Sequence, residues 1–209
     1  MKQTIRLAAA LAAAAITLAA CGDSTGNSEA SPGSLSFSYT GARSGSYSAT
    51  GAFRQTSDST FAKQPFAVGA RGAESGFTYI SLLSYQPVTA EEGDMALFIL
   101  PNVTSPATFP LSASCETADC PFAALIFDTN PDASEDDSDL YLLESGSVNV
   151  TSVSSRRMRG TFSGTATELF GDASITVTNG SFDVPLVSQG FFGAADRAVA
   201  MPKLRASRR

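Results

Sequence analysis

Ser174-Ile175-Thr176-Val177-Thr178-Asn179-Gly180-Ser181-Phe182-Asp183-Val184-Pro185-Leu186 decides the fold class. Ile175 and Val177 alternate with hydroxyl residues, and Phe182 and Val184 resume the alternation after Asn179-Gly180. A period of two is that of a strand with one buried face. The Asn-Gly step is either a type I′ hairpin turn or a bulge inside one long strand. Both readings are β.

The same pattern extends upstream. Gly160-Thr161-Phe162-Ser163-Gly164-Thr165-Ala166 follows a small basic cluster of Arg156, Arg157 and Arg159. Leu140 to Leu143 and Gly146 to Val153 read as two further strands. Leu35-Ser36-Phe37-Ser38-Tyr39-Thr40 alternates cleanly, and Gly45 to Phe53 repeats it less cleanly beyond a hairpin loop at Gly41 to Gly45. Pro65 to Val68 and Gly76 to Tyr85 are strands, and Glu91-Glu92-Gly93-Asp94 is a turn. Met95 to Leu100 and Phe122 to Phe127 are continuous apolar runs, as expected of strands buried on both faces. Ala107 to Leu111 contains Pro110, which confines it to an edge or to irregular structure. The expectation is an all-β domain over residues 35–187, with nine to eleven short antiparallel strands in a sandwich or closed barrel.

The run from Gly146 through Gly160-Thr161-Phe162-Ser163 to Asn179-Gly180-Ser181-Phe182 resembles the C-terminal part of a broad group of small β-rich bacterial lipoproteins of unknown function. In that group a glycine-led strand precedes a G-T-F-S strand and a closing N-G-x-F strand. The resemblance covers about the last third of the domain. It implies an antiparallel β domain and brings no catalytic residue.

The N-terminus carries the strongest motif. Lys2 and Arg6 precede 14 residues, Leu7 to Ala20, that are apolar apart from Thr17. That is too short for a bilayer core of about 30 Å, which takes about 20 helical residues. A charged start, a short apolar core and small residues before a cleavage point describe a secretory signal over residues 1–20. Leu18-Ala19-Ala20-Cys21 resembles the bacterial lipobox at every position. The resemblance implies a lipoprotein with Cys21 lipidated on its sulfur and acylated on its amine, held to a membrane by several chains. Palmitate is one such chain. The competing readings are an ordinary signal with a cysteine there by chance, and a buried N-terminal helix, which would not be so uniformly apolar around its circumference. Residues 21–34 then form a flexible tether, with no aromatic or branched aliphatic residue before Leu35. Residues 188–209 form a basic tail, either a solvated terminus, a short helix over Ala194 to Ala200, or a segment docked on an acidic surface such as Asn130 to Asp139.

Charge and composition exclude several functions. The chain has 209 residues and a net charge of −6. Removing Lys2 and Arg6 with the signal leaves −8, which argues against nucleic acid as a partner and against electrostatic adhesion to anionic lipid. The chain contains no histidine, so the commonest general base and metal ligand is missing. No G-x-S-x-G step or phosphate loop occurs. A hydrolase using carboxylates is the enzymatic alternative, with Glu91, Glu92 and Asp94 as its acids.

Three cysteines remain to be placed. With Cys21 assigned to lipid, Cys115 and Cys120 pair as a disulfide, which an export compartment would preserve. A redox pair or a metal site are the alternatives, and neither has the spacing or the further ligands. The best metal candidate is a calcium loop of Asp128, Asn130, Asp132, Asp136 and Asp139, whose oxygens fall at positions 1, 3, 5, 9 and 12. Ala133 stands where an EF-hand loop needs glycine, and the flanks read as strands. A charged hairpin loop that discourages edge pairing accounts for the same residues. No other cofactor is expected. The function expected is that of a noncatalytic module in the cell envelope, facing the periplasm or the surface, that binds an envelope protein or glycan. A calcium-stabilised adhesion domain is the alternative.

Overall fold

The Asn179-Gly180 step is a bulge, and the strand β10 runs unbroken through it from Ser174 to Ser188. Its pairing register slips between Val177 and Gly180, and Asn179 sits at φ 54°. Asparagine tolerates this left-handed conformation because its short polar side chain can bond locally. The extra residue has a packing consequence. Side chains alternate across a strand, so the odd spacing would set Ile175 and Val177 opposite to Phe182 and Val184 without a bulge to absorb one residue. With it, all four enter one core.

The structure is a computed structural model that describes residues 31–53, 64–74, 77–89, 92–112, 120–129 and 138–188. The described residues contain ten strands and no helix. The strands before β10 are β1 (Gly33–Gly41), β2 (Gly45–Gly51), β3 (Phe66–Glu74), β4 (Phe77–Pro87), β5 (Gly93–Pro101), β6 (Ala107–Pro110), β7 (Phe122–Thr129), β8 (Asp139–Val153) and β9 (Arg157–Glu168). Seven of them close a barrel in the order β10-β3-β4-β5-β7-β8-β9 and back to β10. The other three lie on its seams. β1 pairs with the first part of β10, β2 with β1, and β6 with the last part of β8.

Two expectations about the strands are corrected. The barrel is of mixed orientation, because β10 pairs with β3 in parallel at Leu186↔Gly69, Val187↔Ala70 and Ser188↔Arg71. β2 already runs with β10, since each is antiparallel to β1. β3, which begins at Phe66, runs in the direction of β2, which ends at Gly51, and strands of one direction need a connection of this order of length. Nor are all strands short. β8 and β10 have 15 residues each. β8 joins the two expected strands, Leu140 to Leu143 and Gly146 to Val153, through a register slip between Leu143 and Ser145. Gly146 has φ 107°, and a Cβ there would stand 2.1 Å from the Ser163 carbonyl oxygen. The slip keeps Tyr141, Leu143, Val148 and Val150 in the same core.

The edges of the domain shift slightly. Gly33 and Ser34, expected in the tether, belong to β1, where Ser34 pairs with both Asp183 and Thr50. Ser188, expected in the tail, still pairs with Arg71. Pro110 does sit in an edge strand, β6, as its missing N–H dictates.

The barrel interior is one apolar cluster in which Phe37, Phe98 and Phe162 meet at tilted and edge-on angles. Such pairs favour edge contact because ring faces and edges carry opposite partial charge. Tyr47 reaches in from β2 and donates its hydroxyl hydrogen to Ser84 Oγ at 2.8 Å. That bond is needed, since a hydroxyl buried without a partner is costly. A second cluster lies on the outward face of β3, β4, β5, β7 and the start of β8. The continuous apolar runs at Met95 to Leu100 and Phe122 to Phe127 are therefore buried on both faces, as they read.

Candidate functional site

Two surfaces of the barrel carry chemistry. The first is the end formed by the β1–β2, β4–β5, β7–β8 and β9–β10 connections. Arg43, in the β1–β2 turn, donates from Nη2 to Asp128 Oδ2 at 2.7 Å and from Nη1 to Asp139 Oδ2 at 2.7 Å. Its guanidinium also lies 4.7 Å from the centre of the Phe127 ring. Asp128 stands at φ 58°, and its N–H donates to Asp94 Oδ1 at 3.1 Å. Asp94 is 7% exposed, on the inward face of β5. Burial raises its pKa above the ordinary carboxylate value, against the Asp128 N–H bond and the Arg43 charge that pull it down.

This geometry revises the reading of the acids. Asp94, expected in a turn, is a buried strand residue. Glu92 is exposed in the β4–β5 turn, where its carbonyl oxygen accepts from Val88 and Thr89 N–H. Glu91 lies outside the described residues. Of the five calcium candidates, Asn130, Asp132 and Asp136 lie outside the described residues. Asp128 and Asp139 are brought together, and the positive group between them is Arg43. Among the described residues no group of three or more His, Cys, Asp or Glu is arranged to hold a metal ion.

The basic cluster is likewise internally satisfied in part. Arg157 and Arg159, on one face of β9, both donate to Asp183 of β10, Arg159 at 3.0 Å. Burial would raise the Asp183 pKa, but the two arginine hydrogen bonds outweigh it and hold the carboxyl below its ordinary value.

The second surface is the outward face of β2, β1, β10, β9, β8 and β6. Strand register lines up Ser48, Ser36, Ser181, Thr161, Asn149 and Thr108 in one rank across all six strands. At about 4.8 Å per strand the rank spans about 24 Å. Ser36 and Ser181 hydroxyls are 3.1 Å apart, and Thr108 Oγ1 is 3.2 Å from Asn149 Oδ1. Beside the β10 bulge the rank borders an open depression of about 440 Å³. Ser147, Asn149, Thr161, Ser163, Asn179 and Ser181 line it, with Phe162 and Gly180 completing it. The lining has hydroxyls and amides and no charge. The sequence pattern contained this surface in its polar half, the residues that alternate with the core. What it did not contain was the register that sets them in ranks.

Cys21 and Cys115 lie outside the described residues; Cys120 is half-buried just before β7. Among the described residues no helix is long and apolar enough to cross a membrane. No protein-family model, curated protein or solved structure matches this chain.

Proposed function

We propose that this chain is an exported lipoprotein, anchored through Cys21 outside the cytoplasm, whose barrel is a noncatalytic envelope module that binds a neutral, hydroxyl-rich ligand such as a glycan. Leu18-Ala19-Ala20-Cys21 supports the anchor. A Cys115–Cys120 bridge, stapling the connection into β7, belongs to the same reading. The observation that carries the binding role is the uncharged rank of Ser36, Ser181, Thr161 and Asn149 beside the depression. Paired donors and acceptors of this kind exchange hydrogen bonds with sugar hydroxyls, and a ligand lacking those groups would leave them unpaired. The acidic body excludes polyanions as the preferred partner.

The test is retention of the full-length protein, in membrane vesicles, on immobilised neutral envelope polysaccharide. Thr161→Lys and Asn149→Ala are expected to weaken retention about tenfold, the equivalent of about 1.4 kcal/mol, without lowering the melting temperature. Cys21→Ala is expected to leave the protein in the soluble fraction. Equal retention of wild type and both rank variants rejects the binding role. Membrane association that survives Cys21→Ala rejects the anchor.

A further inference from the structure

The outward apolar face of β3, β4, β5 and β7 requires a cover. In a single-layer barrel the outward side chains meet solvent unless something lies on them. Here Val68 is 0% exposed, Tyr85 1% and Phe66 3%, and all three point away from the barrel interior. Among the described residues only Phe53, Leu169 and Val187 join this cluster from outside the five strands that build it. Three side chains at its margins do not seal a sheet face that also contains Ala70 and Ala124, each 3% exposed.

We propose that the occupant is the chain's own C-terminal segment, residues 189–209, seated through Phe191 and Phe192. This goes beyond the proposed function and does not depend on it. Three observations favour that segment. The first is position: β10 ends beside β3, with Val187 opposite Ala70 and already packed on the cluster. Phe191 and Phe192 follow only four and five residues later. The second is content: the segment adds Val199, Met201 and Leu204 to the two phenylalanines, enough apolar surface to cover a patch of this kind. The third is charge. The segment carries five positive residues against Asp196 alone, and the chain as a whole is negative. Its basic residues would therefore lie against an acidic body while its aromatics enter the sheet face. The proposal takes up the docked alternative for the tail, with an apolar sheet face in place of the Asn130 to Asp139 loop.

The experiment places a photoreactive benzoylphenylalanine at position 191 or 192 of the full-length protein in its own membrane. Mass spectrometry then locates the crosslinks. The expected result is crosslinks within one chain to peptides from β3, β4, β5 or β7. In parallel, Phe191→Ser/Phe192→Ser is expected to raise anilinonaphthalene sulfonate fluorescence several-fold and to lower the melting temperature by roughly 5–10 °C. Crosslinks between two chains, or to another protein, overturn the proposal in favour of that occupant. So does a Phe61→Ser variant, in the 54–63 stretch of chain between Phe53 and Phe66, that raises the dye signal while the tail variant leaves it unchanged.

Discussion

Asp94 is the residue at which this fold is least at ease. Its carboxyl is buried on the core face, 7% exposed, with the Asp128 N–H as a hydrogen-bond donor. Burial raises its pKa above 3.8, so the native state holds its proton more tightly than the unfolded chain does. The stability this supplies is complete below the unfolded value, and it is lost as pH rises through the folded one. Asp183 has the opposite sign. Its pKa is lowered by Arg157 and Arg159, so its contribution is present above the unfolded value and lost as pH falls through the folded one. The two can be separated by Asp94→Asn, which keeps an oxygen to accept from Asp128 and removes the charge. We expect the variant to match the wild type near pH 3 and to be more stable than it at pH 7, by urea denaturation at each pH. A variant less stable at pH 7 would mean that the Arg43 charge, and not burial, governs this carboxyl.

At the level of the strand, parity decides what enters the core, and bulges such as those in β8 and β10 set it. Inserting one glycine between Phe182 and Asp183 would add an odd step to β10 beyond its bulge and turn Val184 and Leu186, both core residues, outward. We expect that single insertion to abolish folding or to lower the melting temperature by more than about 10 °C, several buried side chains being lost at once. Inserting one glycine after Ala42, in the exposed β1–β2 turn, is expected to change it by less than about 3 °C. Equal effects of the two insertions would show that parity does not decide what enters the core. The same elements mark how far the sequence could be read. Alternation at Leu35 to Thr40 and at Ile175 to Val184 identified strands and their buried residues, because burial of one face writes itself locally. Proline at 110 identified an edge for the same reason. The choice between hairpin and bulge at Asn179-Gly180 was not legible. Both use the same left-handed chemistry, and the decision lies in pairing with β9 and with β1, 145 residues away at Ser36↔Ser181. The charged end failed for a related reason. Asp94 followed two glutamates and a glycine and looked like part of their turn. Arg43, which pairs with Asp128 and Asp139, stands 85 and 96 residues from them.

The barrel as a whole is closed by unequal seams. β8 and β9 pair over eleven residues, and β9 and β10 over ten. β10 and β3 pair over only three, in parallel, a geometry slightly weaker per residue than the antiparallel one. The chain between these partners is also long, so the seam forms only after a large loop has been closed. Local opening draws on the weakest cooperative unit. The β10–β3 seam is therefore expected to open before the β8–β9–β10 ribbon, without global unfolding. Native-state hydrogen exchange measures this directly. Amides of 69–71 and 186–188 that bond across the seam should exchange at least about tenfold faster than those of 160–166 paired within the ribbon, equivalent to about 1.4 kcal/mol of lower opening free energy. Gly69→Val should widen the gap, because a Cβ at Gly69 already meets Leu186 Cδ2 at 2.8 Å and Leu82 Cδ2 at 3.0 Å. Uniform protection of seam and ribbon would instead mean that the barrel opens as one unit. The β8–β9–β10 ribbon carries three of the six residues of the polar rank and the depression beside it, whereas the seam adjoins the apolar outer face. Faster exchange at the seam would thus leave the polar surface intact while the opposite flank opens, placing any ligand bound to the rank on the stable side of the molecule.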